Sequence, residues 1–227
     1  MNTGIPNPRE DDAGELRRSD GCRVKQARVD KVVRRNRIAA KGRFLELGCG
    51  AGNITLYMAG KGFDAYGMDI VPAAIEGAES KRLDVGSSAH FRVGDATDLC
   101  CYPDGFFDLV YDGDCLWMIM GVNRRKCLRG VFRILKPGGV FMARARRVND
   151  QVTERCRIST HVYFDPQQRI SVIDDVPMYY FSMEREFKQE FSDAGFEIRY
   201  FESNPRSDGD EPFVAGDMLL DAVKPLA

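Results

Sequence analysis

The segment E-L-G-C-G-A-G-N at residues 46–53 carries residue types and a spacing from which ligand chemistry can be inferred. Gly48, Gly50 and Gly52 let the backbone turn sharply and let a ligand lie against bare main chain. The third glycine comes two places after the second rather than three, which distinguishes the segment from the dinucleotide-binding fingerprint. Glu46 would be unfavourable beside a pyrophosphate. Its carboxylate suits a ligand with a positive charge, such as an amino acid ammonium group.

The same residues resemble the first motif of the class I S-adenosylmethionine-dependent methyltransferases. The segment L-K-P-G-G at 135–139 strengthens the match, although alone it predicts only a helix end and a tight turn. The resemblance covers residues 40–147 in motif order and 182–223 in pattern only. It implies S-adenosylmethionine as cofactor, S-adenosylhomocysteine as product, and methyl transfer to an oxygen or nitrogen of a small molecule, with a slight preference for oxygen.

Polar residues follow the predicted strands at the edge where open α/β sheets bind ligands. Asp69 ends the second strand and could accept hydrogen bonds from both ribose hydroxyls, or could cap the next helix. In similar methyltransferases an acid at the position of Asp95 faces adenine; the alternative is an Asx turn. Ile70 would pack on the adenine face or in the core. The residues that the resemblance assigns to the cofactor are Glu46, Gly48, Cys49, Gly50, Asn53, Asp69, Ile70, Gly94, Asp95, Ala96, Asp112 and Gly113.

The sequence offers no clear general base, and one is needed only if the acceptor holds a proton at neutral pH. The two catalytic candidates are Asp114, which follows the fourth strand, and His161, which lies in an inserted segment. The alternatives are a helix cap and an exposed strand histidine. The chain has neither an N-P-P-Y-like tetrad nor a Pro-Cys nucleophile. We therefore expect catalysis to depend mainly on the proximity and orientation of donor and acceptor.

Four residues are candidates for the substrate pocket: Trp117, Arg144, Arg146 and Tyr163. Arg144 and Arg146 are predicted to lie on one face near the end of the fifth strand, and arginine forks suit carboxylate or phosphate groups. An anionic small molecule is therefore one hypothesis for the substrate. The alternative is that these arginines form surface charge or pair with nearby acidic residues.

Strand and helix patterns alternate between residues 43 and 145, which predicts βαβ units with parallel strands. The predicted fold is α/β, with a Rossmann-like doubly wound sheet of seven mostly parallel strands; the antiparallel C-terminal strand is implied by the resemblance. Residues 1–14 are predicted to form a disordered tail and 15–227 a single methyltransferase domain. Within that domain, 15–41 is predicted to be helical, and 149–180 is predicted to be an inserted cap with two short strands.

Composition excludes several classes of protein. The 227 residues carry a net charge of −1, which creates no global attraction to nucleic acid or membrane. Because there is no long apolar run and no apolar signal core, we expect no membrane span and a cytoplasmic location. Seven cysteines without C-x-x-C spacing argue against a disulfide framework and against a zinc site, so no metal is expected.

The basic segment, residues 17–43, holds eleven Lys or Arg residues. Such a segment could track a phosphate backbone, but aromatic residues are not interleaved with its charges. A small-molecule partner is therefore predicted in preference to nucleic acid. Three alternatives stay open: an RNA methyltransferase, a protein methyltransferase, and a non-catalytic interaction protein that binds S-adenosylmethionine. The sequence is compatible with a monomer or a homodimer.

Overall fold

The computed structural model describes residues 12–157, 159–205 and 213–226. Most of the predicted N-terminal tail, residues 1–11, lies outside the described residues. The first helix begins at Asp12, which is inside the predicted tail. Residues 206–212, between the last two strands, also lie outside the described residues.

One hydrogen-bonded sheet forms the centre of the molecule. Seven strands give the order β3-β2-β1-β4-β5-β11-β10, in which β11 is antiparallel to both β5 and β10. The other pairs in this part are parallel. These strands are β1 (Arg43–Leu47), β2 (Asp64–Asp69), β3 (His90–Val93), β4 (Phe107–Asp112), β5 (Leu135–Val148), β10 (Glu197–Pro205) and β11 (Val214–Val223). The predicted Rossmann-like α/β sheet with an antiparallel C-terminal strand is confirmed.

Helices cover both faces of this sheet, as βαβ units require. Pro72 begins α3 because its fixed φ suits the first helical turn, and α4 ends at Ile134 just before the L-K-P-G-G segment. On one face, β-strand side chains pack with α1 and α2; on the other they pack with α4 and α5. The helices are α1 (Asp12–Arg35), α2 (Asn53–Gly60), α3 (Pro72–Asp84), α4 (Gly121–Ile134) and α5 (Glu184–Asp193).

The inserted segment differs from its prediction. It contains four antiparallel strands instead of two: β6 (Cys156–Arg157), β7 (Val162–Asp165), β8 (Ile170–Ile173) and β9 (Val176–Ser182). It is also not separate from the main sheet, since β9 pairs in parallel with the end of β5 at Arg146 and Arg147. Strand β5 runs on to Val148 because β9 pairs with Arg146 and Arg147 on one side and β11 pairs as far as Val148 on the other. Among the described residues, the sheet therefore has eleven strands rather than seven.

Helix α1 carries much of the basic segment and is fixed to the body by apolar and ionic contacts. Val29 and Val32 are fully buried against the sheet. Arg35 donates from Nε to the buried Asp221 carboxylate of β11 at 2.8 Å. Asp30 accepts hydrogen bonds from the Tyr57 hydroxyl at 2.9 Å and from Lys61 at 2.6 Å. Arg35 of the basic segment is thus paired with an acid of the same molecule, and Asp30 ties α1 to α2.

Within the described parts of the chain, no helix is both long enough and apolar enough to cross a membrane.

Candidate functional site

The glycine turn, residues 48–52, joins β1 to α2. Its three glycines have φ values of 72°, 51° and 75°, in the left-handed region that favours glycine. A Cβ on Gly48 would lie 2.6 Å from Cβ of Cys115, and one on Gly52 would lie 2.6 Å from the Phe91 ring. A Cβ on Gly50 would meet no heavy atom within 4 Å. Gly48 and Gly52 are therefore required for packing, while Gly50 presents bare main chain to open space.

A cleft of about 380 Å³ lies in front of this turn. One wall comes from the turn itself, and the opposite wall comes from α1, which contributes Gly21, Cys22 and Lys25. Glu46 lines the floor. The remaining lining residues are Gly48, Cys49, Gly50, Ala51, Asn53 and Ile54. Four of the residues that sequence reasoning assigned to a cofactor besides Glu46 therefore line one cleft.

Glu46 is a buried carboxyl group with one oxygen fixed. Its Oε2 accepts hydrogen bonds from the Thr55 hydroxyl at 2.6 Å and from the Thr55 amide at 3.0 Å. Burial raises the pKa of Glu46 to about 7, although the Thr55 hydrogen bonds and the charge of Lys25 act in the opposite direction. The group therefore changes its charge close to neutral pH, where an incoming cation would favour the ionised form.

Asp69 ends β2 and ties the glycine turn to the next loop. Its Oδ2 accepts the Gly50 amide at 2.8 Å, and its Oδ1 accepts the Val71 amide at 3.0 Å. An ionised carboxylate has about four acceptor positions, so two further hydrogen bonds from a diol can still be accepted. Asp69 is not the N-cap of α3, which was the alternative role considered for it, because the N-cap residue is Val71 and no side-chain hydrogen bond caps the helix.

Apolar side chains are exposed at the carboxyl ends of β2 and β3. Ile70 is 65% exposed and Val93 is 49% exposed, which is unusual for large apolar residues at the ends of sheet strands. Core packing, the alternative for Ile70, is therefore wrong. Asp95 is exposed and accepts the Thr97 amide at 2.8 Å, so the Asx turn considered for it is present. Gly94 donates its amide to the carbonyl of Asp69 at 2.9 Å.

The end of β4 approaches the end of β1 very closely. Gly113 donates its amide to the Leu47 carbonyl at 2.8 Å. A Cβ at this position would lie 2.6 Å from the Gly48 carbonyl oxygen and 3.2 Å from Oε1 of Glu46. The neighbouring Asp112 is buried, and its Oδ1 accepts the amides of Cys115 and Leu116. Asp112 thus holds the two amides at the start of the 3₁₀ turn Leu116–Met118.

Asp114 is held between cations from two elements. It lies 2.9 Å from Lys25, 3.7 Å from Arg28 and 3.0 Å from Arg144. Burial acts to raise the pKa of Asp114, but the charges of Arg144 and Lys25 outweigh it, and the pKa lies below its ordinary value. A carboxylate that is paired in this way and has a lowered pKa is a weak base. The geometry therefore argues against Asp114 as a general base.

The Trp117 wall, which consists of Trp117, Arg146 and Tyr179, lies beyond this ion cluster. The guanidinium carbons of Arg144 and Arg146 are 4.6 and 5.0 Å from the centre of the Trp117 ring, so the predicted shared face of the two arginines is correct. Tyr179 meets Trp117 edge-on at 6.4 Å between ring centres. Arg144 also pairs with Asp114 and with Asp217, at 2.9 Å, so its fork is already occupied by carboxylates of the protein.

The structure does not bring His161 or Tyr163 to the Trp117 wall through any described contact. His161 is 71% exposed, and its Nδ1 lies 2.7 Å from Asp174 of the turn between β8 and β9. Tyr163 packs under the guanidinium of Arg155 at 3.7 Å. His161 is exposed, as the alternative interpretation predicted, but it lies in a bend directly before β7 rather than in a strand, and Tyr163 lies in β7.

Sequence reasoning missed Lys25, Thr55 and Tyr179. Lys25 was considered only as part of the basic segment, because the docking of α1 over the glycine turn has no local signal. Tyr179 was missed because β9 was not predicted as a strand. Thr55 could have been found from the sequence, since it lies in the first turn of the helix that follows the glycines.

Comparisons with known proteins agree with this geometry. Residues 45–143 match a family model described as a methyltransferase domain. The matched range begins in β1 and ends in β5, so it contains the glycine turn, Asp69, Asp95 and the 3₁₀ turn.

Two curated relatives and one solved structure illustrate the extent of the similarity. An uncharacterised methyltransferase of Synechocystis sp. is 35% identical over 97 residues, which are 43% of this chain and 43% of that protein. The ubiquinone biosynthesis O-methyltransferase of Pseudomonas fluorescens is 32% identical over 126 residues, 55% of this chain and 53% of that protein. The chain thus spans about half the length of these relatives. A SAM-dependent methyltransferase structure from Methanosarcina mazei shares the fold, with a TM-score of 0.66 and 23% identity over 86% of this chain and 98% of that one.

Proposed function

We propose that this chain is a class I S-adenosylmethionine-dependent methyltransferase, which transfers a methyl group from S-adenosylmethionine to an oxygen or nitrogen atom of a small molecule. The match of residues 45–143 to a methyltransferase family model and the shared fold support this proposal. The observation that carries the proposal is the cleft in front of Gly50, which has bare main chain on one side and two opposite charges, Glu46 and Lys25, in its lining. S-adenosylmethionine is the cofactor that this family and fold imply.

The residues present fit such a cofactor. An amino acid carries an ammonium and a carboxylate group, and Glu46 and Lys25 offer a partner for each. The main chain at Gly50 borders open space in the cleft, and the Cβ of any other residue at this position would occupy part of that space. Asp69 has acceptor positions left for a ribose diol, and the exposed side chain of Ile70 offers an apolar surface for a flat ring.

The cofactor supplies an electrophilic methyl group on a sulfonium. The contribution of the chain is to hold the acceptor atom in line with that carbon and to exclude water from the space between them. We infer that the acceptor lies against the Trp117 wall, because an ionic chain from Lys25 through Asp114 to Arg144 joins the cleft to Trp117. Neither Asp114 nor His161 is placed as a base, so an acceptor from which the protein need not remove a proton, such as a neutral amine or an ionised oxygen, fits the site best.

Cofactor binding is expected to depend on pH through Glu46. Its carboxyl is protonated below a pKa of about 7 and ionised above it, and only the ionised form attracts an ammonium group. The affinity for S-adenosylhomocysteine should therefore fall about tenfold from pH 8 to pH 6, as the ionised fraction falls. Isothermal titration calorimetry at several pH values measures this change.

The control is Glu46→Gln, which keeps the size and the ability to accept from Thr55 but cannot ionise. Its affinity should be lower and should show only the pH dependence of the ligand itself. Equal pH slopes for the two proteins would mean that Glu46 does not pair with the ligand cation.

The proposed function is tested by titrating the purified chain with S-adenosylmethionine, S-adenosylhomocysteine and NAD, followed by assays of S-adenosylhomocysteine release with phenol and amine acceptors. Binding of the first two ligands and turnover of an acceptor are expected. Binding of NAD alone would contradict the proposal. Binding of S-adenosylmethionine without turnover of any acceptor would favour the non-catalytic interaction protein.

A further inference from the structure

Arg124 of α4 is a buried charge that no part of the proposed chemistry uses. The residue is 2% exposed. A guanidinium in such an environment destabilises the fold unless hydrogen bonds and opposite charge compensate for lost hydration. The contacts of the Arg124 guanidinium therefore show which groups compensate for its lost hydration.

The Arg124 side chain joins three elements. Its Nη1 donates to the carbonyl of Leu116 at 2.6 Å, and its Nε donates to Oε2 of Glu190 in α5 at 2.7 Å. The guanidinium carbon lies 5.5 Å from the ring centre of Tyr180 in β9 and 5.9 Å from that of Phe187. Nη2 is buried and has no hydrogen-bond partner among the described residues.

Leu116 is the first residue of the 3₁₀ turn that carries Trp117. A single turn of this kind has few and poorly aligned internal hydrogen bonds, so its position depends on outside partners. Asp112 binds the amide of Leu116 at 3.0 Å, and Arg124 binds the carbonyl of the same residue. The peptide groups on both sides of Leu116 are thus fixed by buried charged side chains from β4 and α4.

We propose that Arg124 is a positioning residue, which sets the place of Trp117 through the Leu116 carbonyl and sets the place of β9 through Tyr180. Tyr180 precedes Phe181 and follows Tyr179, the residue that contacts Trp117. Arg124 therefore controls two members of the Trp117 wall without touching the ligand cleft. The role of the Trp117 wall towards a methyl acceptor rests on the proposed function. The positioning of Trp117 and β9 by Arg124 does not depend on that function.

Trp117 is the single tryptophan of the chain, so its fluorescence reports on this wall directly. Arg124→Met removes both hydrogen bonds while keeping an unbranched apolar side chain. Well below the melting temperature, the Trp117 emission should shift to longer wavelength, and acrylamide quenching should increase severalfold. The affinity for S-adenosylhomocysteine should stay close to that of the unchanged protein.

Two further variants make the result decisive. Arg133→Met is the matched control, because Arg133 lies on the same helix and donates to the carbonyls of Tyr102 and Leu99. It should leave Trp117 emission unchanged. Arg124→Lys keeps one cation but cannot reach both partners as a fork does, so it should give a smaller shift in the same direction. It also provides the test if Arg124→Met does not fold.

Unchanged Trp117 emission in a folded Arg124 variant, or an equal shift in Arg133→Met, would overturn the positioning role. Failure of every variant and of the unchanged protein to bind S-adenosylhomocysteine would instead contradict the proposed function. The two failures are therefore distinguishable in the same set of samples.

Discussion

Replacement of Asp69 by alanine is expected to weaken the binding of S-adenosylhomocysteine by about 100-fold or more. In the proposed complex, this carboxylate accepts two ribose hydroxyls, and a hydrogen bond to a charged group contributes about 1.5–3 kcal/mol. The same carboxylate already holds the amides of Gly50 and Val71, so its loss also loosens the turn that faces the cleft. Isothermal titration calorimetry measures the change in affinity.

The control is Asp64→Ala, which removes an acid from the opposite end of the same strand. Asp64 lies near Arg43 and His90 at the start of β2, and its side chain is 41% exposed. This variant should bind the ligand with nearly unchanged affinity. If both variants bound equally well, Asp69 would have no part in holding the ribose.

Gly113→Ala is expected to reduce the stability of the whole domain. The added Cβ would lie 2.6 Å from the Gly48 carbonyl oxygen and 2.8 Å from that of Leu47, both backbone atoms at the point where β1 ends and the glycine turn begins. Overpacking of this kind costs about 3 kcal/mol. For a chain of this size, the melting temperature should fall by about 6–12 °C, measured by circular dichroism or calorimetry.

Gly50→Ala separates stability from ligand binding. Its Cβ would meet no atom within 4 Å, so only the left-handed backbone penalises it, by about 1–2 kcal/mol. The fall in melting temperature should therefore be smaller than for Gly113→Ala, while the affinity for S-adenosylhomocysteine should fall because the methyl group enters the cleft. A larger loss of stability at Gly50 than at Gly113 would contradict the packing described for the two glycines.

Local patterns were sufficient to predict the alternating strands and helices next to the glycine turn. Strand β2 (Asp64–Asp69) and helix α3 (Pro72–Asp84) follow the alternation predicted between residues 43 and 145. Each bound is set by neighbouring residues, such as Pro72, which fits only the first helical turn. The glycine turn was predictable for the same reason, since its left-handed conformations demand glycine at fixed spacing.

The environment of the candidate base was not predictable from local pattern. Asp114 is a candidate base because it follows β4, but its basicity depends on Lys25 from α1 and Arg144 from β5. The separation of Asp114 and Lys25 by 89 positions leaves no periodic signal. Arg144 also pairs with Asp217 of β11, which is 73 residues away in the sequence. The register between β5 and β11 brings the two residues together, and no local pattern indicates it.

The number of strands in the inserted segment was mispredicted, because pairing with the main sheet contributes to the formation of β9 in addition to its local sequence. Strand β9 begins with Val176-Pro177, and proline is a poor strand residue except at an edge. The pairing of Phe181 with Arg146 gives the segment a second partner beyond its own hairpin. The residues around Tyr179 pair with β8, where Ser171 lies opposite Tyr179.

Strand β5 exchanges β4 for β9 as its neighbour near residue 146. On the β4 side of this exchange lies most of the range that matches the methyltransferase family model. On the β9 side, β5 borders the inserted strands, which contribute Tyr179 to the Trp117 wall. Under the proposed function, a change in the inserted strands would therefore alter the acceptor side of the site and leave the glycine turn in place.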